Sequence, residues 1–190
     1  MHVPQSYETR AEVKEIMAVP NQVVAPKDNK PVMGLVQDAL LGISIFTKRD
    51  TFLELDQCMN LLMWIDFDGE LPPPAILKPR PLWTGKQILS LVIPQVNYMK
   101  LGDAGIISHK DDGILVKNGE LHCGILLKGT VGAVPGGLVH IVWRDQGPEA
   151  CKDFLSNTQN VVNNWLVTHG FTVGVQDIIA GQDTVDTIQR

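Results

Sequence analysis

Carboxylates at alternate positions of a turn can converge on one cation, and Asp66-Phe67-Asp68-Gly69-Glu70 is the stretch of this chain that offers them. Magnesium there would also need a substrate phosphate or several more oxygens in near-octahedral geometry, because the ion gives up its waters reluctantly. The residues that follow, Leu71 and Pro72-Pro73-Pro74, supply no carboxylate and stiffen the chain away from the turn. Asp and Gly favour turns for conformational reasons alone, so the stretch is read as a plain turn that holds no metal. Gly85-Lys86 resembles part of a phosphate loop, but no glycine precedes the pair at the required spacing, and Gln87 stands where Ser or Thr is needed. Lys78, Arg80 and Lys86 put three cations into nine residues, a local patch suited to phosphate, with a protein contact or a solvated face as the alternative.

Gln37 and Asp38 open a helix, where an acidic side chain suits the positive end of the dipole and both residue types commonly satisfy backbone donors. Cys58, Cys123 and Cys151 are odd in number and lack the short paired spacing of a zinc site or disulfide framework, so they are read as reduced core thiols. The histidines, His2, His109, His122, His140 and His169, show no ligand spacing either. Trp64, Trp83, Trp143 and Trp165 are expected to fill a core or an interface rather than to stack on bases.

The chain that must position these groups has 190 residues, enough for one domain of ordinary size or one domain with fragments of its neighbours. Hydrophobic residues are 44% and charged residues 19%, which excludes an intrinsically disordered chain. No apolar run reaches the about 20 residues of a membrane span and no secretory leader opens the sequence, so a soluble intracellular protein is expected. A net charge of −5 argues against a free-standing module that grips nucleic acid by bulk charge.

The pattern predicts a mixed α/β (α+β) fold of helices with short strands and one hairpin. Ser6 should cap a helix that runs to about Met17, with Val13, Ile16 and Met17 at helical spacing. Val19 to Pro31 reads as extended chain and turn and as a domain boundary. Val36, Ala39, Leu40 and Ile43 mark a second helix, weakened by Gly42. A third is expected from an Asp50 cap, with Phe52, Leu55, Met59 and Leu62 as its stripe and an end near Trp64. Ala75 to Pro81 reads as extended, and Ile88 to Ile93 as a short buried helix or a strand. Asn118-Gly119 between Ile114–Lys117 and Glu120–Ile125 predicts a hairpin with a type I′ turn. Pro148 to His169, closed by Gly170, predicts the strongest helix, with Cys151, Phe154, Leu155, Val161, Val162, Trp165 and Leu166 on one face. Gly174 to Arg190 is short and polar.

Several blocks resemble the largest subunit of multisubunit RNA polymerases, in its eukaryotic RNA polymerase II form. They are His2-Val3-Pro4-Gln5-Ser6 with Glu8-Thr9-Arg10-Ala11-Glu12, Asn29 through Asp38, and Pro74 through Gln87 (Pro-Ala-Ile-Leu-Lys-Pro-Arg-Pro-Leu-Trp-Thr-Gly-Lys-Gln). Farther on, Val162-Asn163-Asn164-Trp165-Leu166 and Gly170-Phe171-Thr172-Val173-Gly174 match as well. The resemblance runs from residue 2 to about residue 180.

The resemblance implies a fragment with residues 1–19 as the tail of the active-site domain, 20–182 as the pore domain and 183–190 as the start of a linker to the funnel domain. It implies a place beside the secondary channel, through which nucleotides enter and backtracked RNA leaves, inside a nuclear DNA-directed RNA polymerase. Magnesium in that parent enzyme is held by an aspartate loop upstream of the position matched by Met1, so the fragment itself is expected to bind no cofactor, to carry no catalytic residue and to polymerise nothing alone. Other polymerase subunits, template DNA, RNA and passing nucleotides are the implied partners, and no membrane. Lys78, Arg80, Lys86 and Lys128 become candidates for phosphate contact, and Gln37 and Asp38 for support of the active centre. Gly129 departs from the family's second lysine after Lys128, and Val175-Gln176-Asp177 from its Ile-Gly-Asp. The rival reading is an independent phosphate- or nucleic-acid-binding module that uses the Lys78 to Lys86 segment. A small metal-dependent phosphotransfer enzyme centred on Asp66 and Asp68 is a second.

Overall fold

Ser6 accepts a hydrogen bond from the amide of Thr9 at 3.1 Å and starts α1 (Tyr7–Glu15), as its side chain predicts. The computed structural model describes residues 1–102, 105, 107 and 111–189; His109 lies outside them. No residue of α1 is buried, so Val13, Ile16 and Met17 meet solvent rather than a core. Beyond it a 3-10 turn (Val19–Gln22) leads into β1 (Val24–Ala25) and β2 (Lys30–Pro31), an antiparallel pair closed by Asn29 at φ 47°. This is a second hairpin where one was expected.

α2 (Gln37–Phe46) buries Ala39, Gly42, Ile43 and Phe46. Gly42 weakens helix propensity, but a Cβ there would stand 2.5 Å from Cγ1 of Val162, so its small size lets two helices approach. The next helix departs from expectation. Phe52–Leu53 is a strand, β3, and α3 spans Leu55–Leu62, entered from Glu54, whose amide donates to Gln57 Oε1 at 3.1 Å. That local box starts the helix in place of Asp50. The buried face is Cys58, Leu61 and Leu62, whereas Phe52, Leu55 and Met59 are exposed.

Ala75 to Pro81 is not extended but folds back on itself, with Ile76 and Leu82 exchanging backbone hydrogen bonds of 3.1 and 2.9 Å. β4 (Trp83–Thr84) then pairs with β3, and α4 (Gly85–Ser90) makes the Ile88–Ile93 run begin as helix. β5 (Tyr98–Lys100), β6 (Ile114–Lys117) and β7 (Glu120–Cys123) form an antiparallel sheet in chain order. Asn118 and Gly119 at φ 51° and 84° join β6 to β7 as predicted. α5 (Lys128–Val131), α6 (Leu138–Gln146), α7 (Pro148–His169), α8 (Val175–Ile178) and α9 (Gln182–Gln189) complete the chain.

The core gathers around α7, which packs against α2, α3, α6 and the 3-10 turn. Its inward residues are Cys151, Phe154, Thr158, Val161, Val162 and Trp165. Trp165 meets Phe46 edge-on with ring centroids 5.0 Å apart. Ile43, Phe46, Phe154, Val161 and Val162 are each at most 2% exposed, and each such side chain contributes about 1.5–3 kcal/mol through burial. Trp83 is buried too, while Trp64 is exposed and fills no core here. The α+β class follows, with helices around α7 and, among the described residues, three small antiparallel sheets.

Candidate functional site

The basic segment Lys78 to Lys86 is built from its prolines and its Trp-Thr-Gly-Lys-Gln run. The Ile76–Leu82 bridge places Lys78 and Arg80 on an exposed reversal. Trp83 Nε1 donates to the carbonyl of Pro72 at 2.7 Å, and Gln87 Nε2 to that of Pro73 at 2.9 Å, so the proline stretch is strapped to the start of α4. Thr84 and Gln87 cap that helix reciprocally: Thr84 Oγ1 accepts from the Gln87 amide at 3.2 Å, and Gln87 Oε1 from the Thr84 amide at 3.0 Å. Gly85 lies so close to Phe46 that a Cβ would collide with its carbonyl oxygen. The glycine that suggested a phosphate loop therefore serves close packing.

This docking turns Lys86 inward. Its ammonium pairs with Asp111 Oδ2 at 2.8 Å, the two side chains being only 11% and 9% exposed. Asp111 Oδ1 also accepts from the amide of Gly124 at 3.1 Å. Lys86 thus departs from the reading that placed it with Lys78 and Arg80 in one surface patch: its charge is matched within the fold. Arg80 is exposed and paired with the Glu54 carboxylate. Lys78 is exposed, with no ion pair among the described residues.

Lys128 is exposed at the start of α5. Beside it, a Cβ at Gly129 would stand 3.1 Å from Nζ of Lys100, so a second cation reaches this point from β5. Nothing in the local sequence around Lys100 signals that neighbour, which the β5–β6 pairing supplies. Gln37 and Asp38 stand exposed on the first turn of α2, Gln37 in the left-handed region at φ 50°. Neither side chain makes a hydrogen bond among the described residues, so the expected capping of backbone donors does not occur. A strained, exposed backbone of this kind is more common at working sites than in plain scaffold.

Asp66, Asp68 and Glu70 are exposed on a bend after α3, and among the described residues no three His, Cys, Asp or Glu side chains converge as metal ligands. Burial pushes the Cys58 thiol up to about 11, with the Asp56 charge adding to the effect, and burial raises Cys151 to about 11 as well. Both are neutral thiols near pH 7, poor nucleophiles and poor ligands. A cleft of about 770 Å³ opens between α4, Pro72–Pro73 and the β6–β7 hairpin; Lys48, Arg49, Glu120 and His122 line it.

Comparison with known proteins gives two findings. The family described as RNA polymerase Rpb1, domain 3, matches residues 22–178. Over 186 residues, 97% of this chain, the sequence is 44% identical to DNA-directed RNA polymerase II subunit RPB1-B of Trypanosoma brucei brucei, and the chain spans 10% of that protein's length.

Proposed function

The chain belongs to the RNA polymerase Rpb1, domain 3, family, and from that premise we propose that it is a fragment of the largest subunit of a nuclear RNA polymerase II that covers the pore domain. The observation that carries this reading is the family match over residues 22–178, joined to 44% identity with a protein named as an RNA polymerase II subunit. In this reading residues 1–19 are the tail of the active-site domain, 20–182 the pore domain and 183–190 the lead toward the funnel domain. The assembled enzyme is a DNA-directed RNA polymerase that works on template DNA and RNA. Neighbouring subunits cover the apolar residues left bare here, among them Ile16, Met17, Ile178 and Ile188. No helix among the described residues is long and apolar enough to cross a membrane.

Magnesium belongs, in this reading, to aspartates elsewhere in the subunit. The Asp66 to Glu70 carboxylates are solvated, and among the described residues they do not converge with other ligands. What the chain contributes is positive charge along the secondary channel. Lys78 and Lys128, with Lys100 beside the latter, attract the phosphates of entering nucleotides and of backtracked RNA. Arg80 shares its charge with Glu54, and Lys86 acts from inside the fold. Gln37 and Asp38 support the active centre, a role that suits their exposure and the strained Gln37 backbone. The independent phosphate-binding module is disfavoured, because its three-cation segment loses Lys86 to an ion pair inside the fold.

The test uses polymerase assembled with this chain. Lys78→Ala and Lys128→Ala are each expected to raise the nucleotide KM or shorten the life of backtracked RNA several-fold, with kcat within about twofold, because a removed channel cation weakens attraction and not bond formation. Unchanged elongation and backtracking in both variants would overturn the assignment.

A further inference from the structure

We propose that Lys86, Asp111 and Thr47 act as a positioning clamp that sets where Lys128 stands, an inference that rests on the channel reading of Lys128. After β7 the chain runs through Gly124–Leu127 before α5 begins, and Gly124 and Leu126 are buried. Their amides point into the fold, and side chains satisfy both. Gly124 donates to Asp111 Oδ1 at 3.1 Å and Leu126 to Thr47 Oγ1 at 3.1 Å. The connection therefore hangs from two acceptors on separate elements rather than from a strand neighbour.

Each acceptor is itself held. Thr47 is fully buried and its hydroxyl donates to the Ile43 carbonyl at 2.8 Å, which leaves its lone pairs to face Leu126. Asp111 sits at φ 61°, a conformation Asp tolerates better than most residues, and its second oxygen is fixed by the Lys86 ammonium. Lys86 thus reaches the connection through Asp111. The far end of the segment is tied as well, since Val131 O accepts from Leu35 N at 2.9 Å, just ahead of Gln37. Thr47 ends α2 and Leu35 precedes it, so α2 brackets the segment that carries Lys128.

A direct phosphate contact by Lys86 and a clamp through Asp111 make opposite forecasts. If Lys86 touched phosphate, removing the neighbouring anion with Asp111→Gly, which also withdraws the Gly124 acceptor without straining the backbone, should lower the nucleotide KM while Lys86→Met raises it. The clamp requires both variants to raise KM in polymerase assembled with this chain, with kcat little changed, and to add nothing in a Lys128→Ala background. Opposite signs, or full additivity with Lys128→Ala, would overturn it. Should either single variant fail to fold, Lys86→Met/Asp111→Leu removes both charges together and still withdraws the Gly124 acceptor, so its KM must remain raised; a normal KM would again overturn the clamp. Should Lys128→Ala itself leave the polymerase unchanged, the channel reading fails separately. Amide hydrogen exchange in the intact protein then decides the clamp: Thr47→Val must speed exchange at Leu126, and Lys86→Met/Asp111→Leu at Gly124, about tenfold or more, with α7 unaffected. Unchanged exchange at both amides would sink it.

Discussion

The Ile76–Leu82 reversal and the helix that follows it carry cations of the same sequence patch into opposite surroundings. Arg80 meets Glu54 with side chains 63% and 44% exposed, while Lys86, six residues on, meets Asp111 at 11% and 9%. In water such a pair gains little over two hydrated ions. Inside the fold, desolvation makes each charge dependent on its partner. Spacing along the chain therefore reports where positive charge is encoded, and helix docking decides which charge reaches a ligand.

The difference can be broken most severely at Gly85, whose missing Cβ lets α4 lie against the Phe46 carbonyl and so carries Lys86 inward. Gly85→Ala is expected to cost more than about 4 kcal/mol, enough to remove the denaturation transition of a marginal domain. A cooperative transition close to that of the parent would show that α4 can shift. Next comes Lys86→Met, expected to lose about 3–5 kcal/mol because Asp111 is left as an unpaired buried charge. Lys86→Met/Asp111→Asn should recover most of that loss in urea denaturation, since Asn is neutral, tolerates the left-handed backbone at position 111 and keeps an oxygen for the Gly124 amide; equal losses for the single and double variants would mean the ion pair is not what Lys86 supplies. The smallest effect belongs to Arg80→Ala, at about 0.2–1 kcal/mol and fading with added salt. A larger, salt-insensitive loss would erase the contrast between the two pairs.

Elements with all their signals in one stretch were legible in the sequence. Pro148 starts α7 and Gly170 closes it; Cys151, Phe154, Val161, Val162 and Trp165 point inward as the stripe predicts, Leu155 and Leu166 are half-buried, and Thr158 joins the buried face unannounced. Asn118-Gly119 announces the β6–β7 hairpin. The elements that depend on distant partners were not. β5 is a strand because Tyr98 to Lys100 pair with Val116 to Ile114, and α6 follows Gly136-Gly137 without a strong cap of its own. α3 misled because Leu55 and Met59 are apolar yet exposed, and the Glu54–Gln57 box outcompeted Asp50 as the start. The same distinction runs through the candidate site. Lys78 and Arg80 stand exposed on their own loop, but the fate of Lys86 is set by Asp111, 25 residues away. Lys100 enters the site for a comparable reason, through sheet pairing that brings it to Gly129.

The bond between Thr47 and the Leu126 amide spans 79 residues, and that span has a kinetic meaning. Contacts so far apart in sequence close a long loop and so tend to form after local helices and hairpins have appeared. An interaction made after the folding barrier slows escape from the native state rather than speeding arrival at it. Thr47 then works as a late lock: without its hydroxyl the domain assembles at nearly its usual rate, and comes apart sooner.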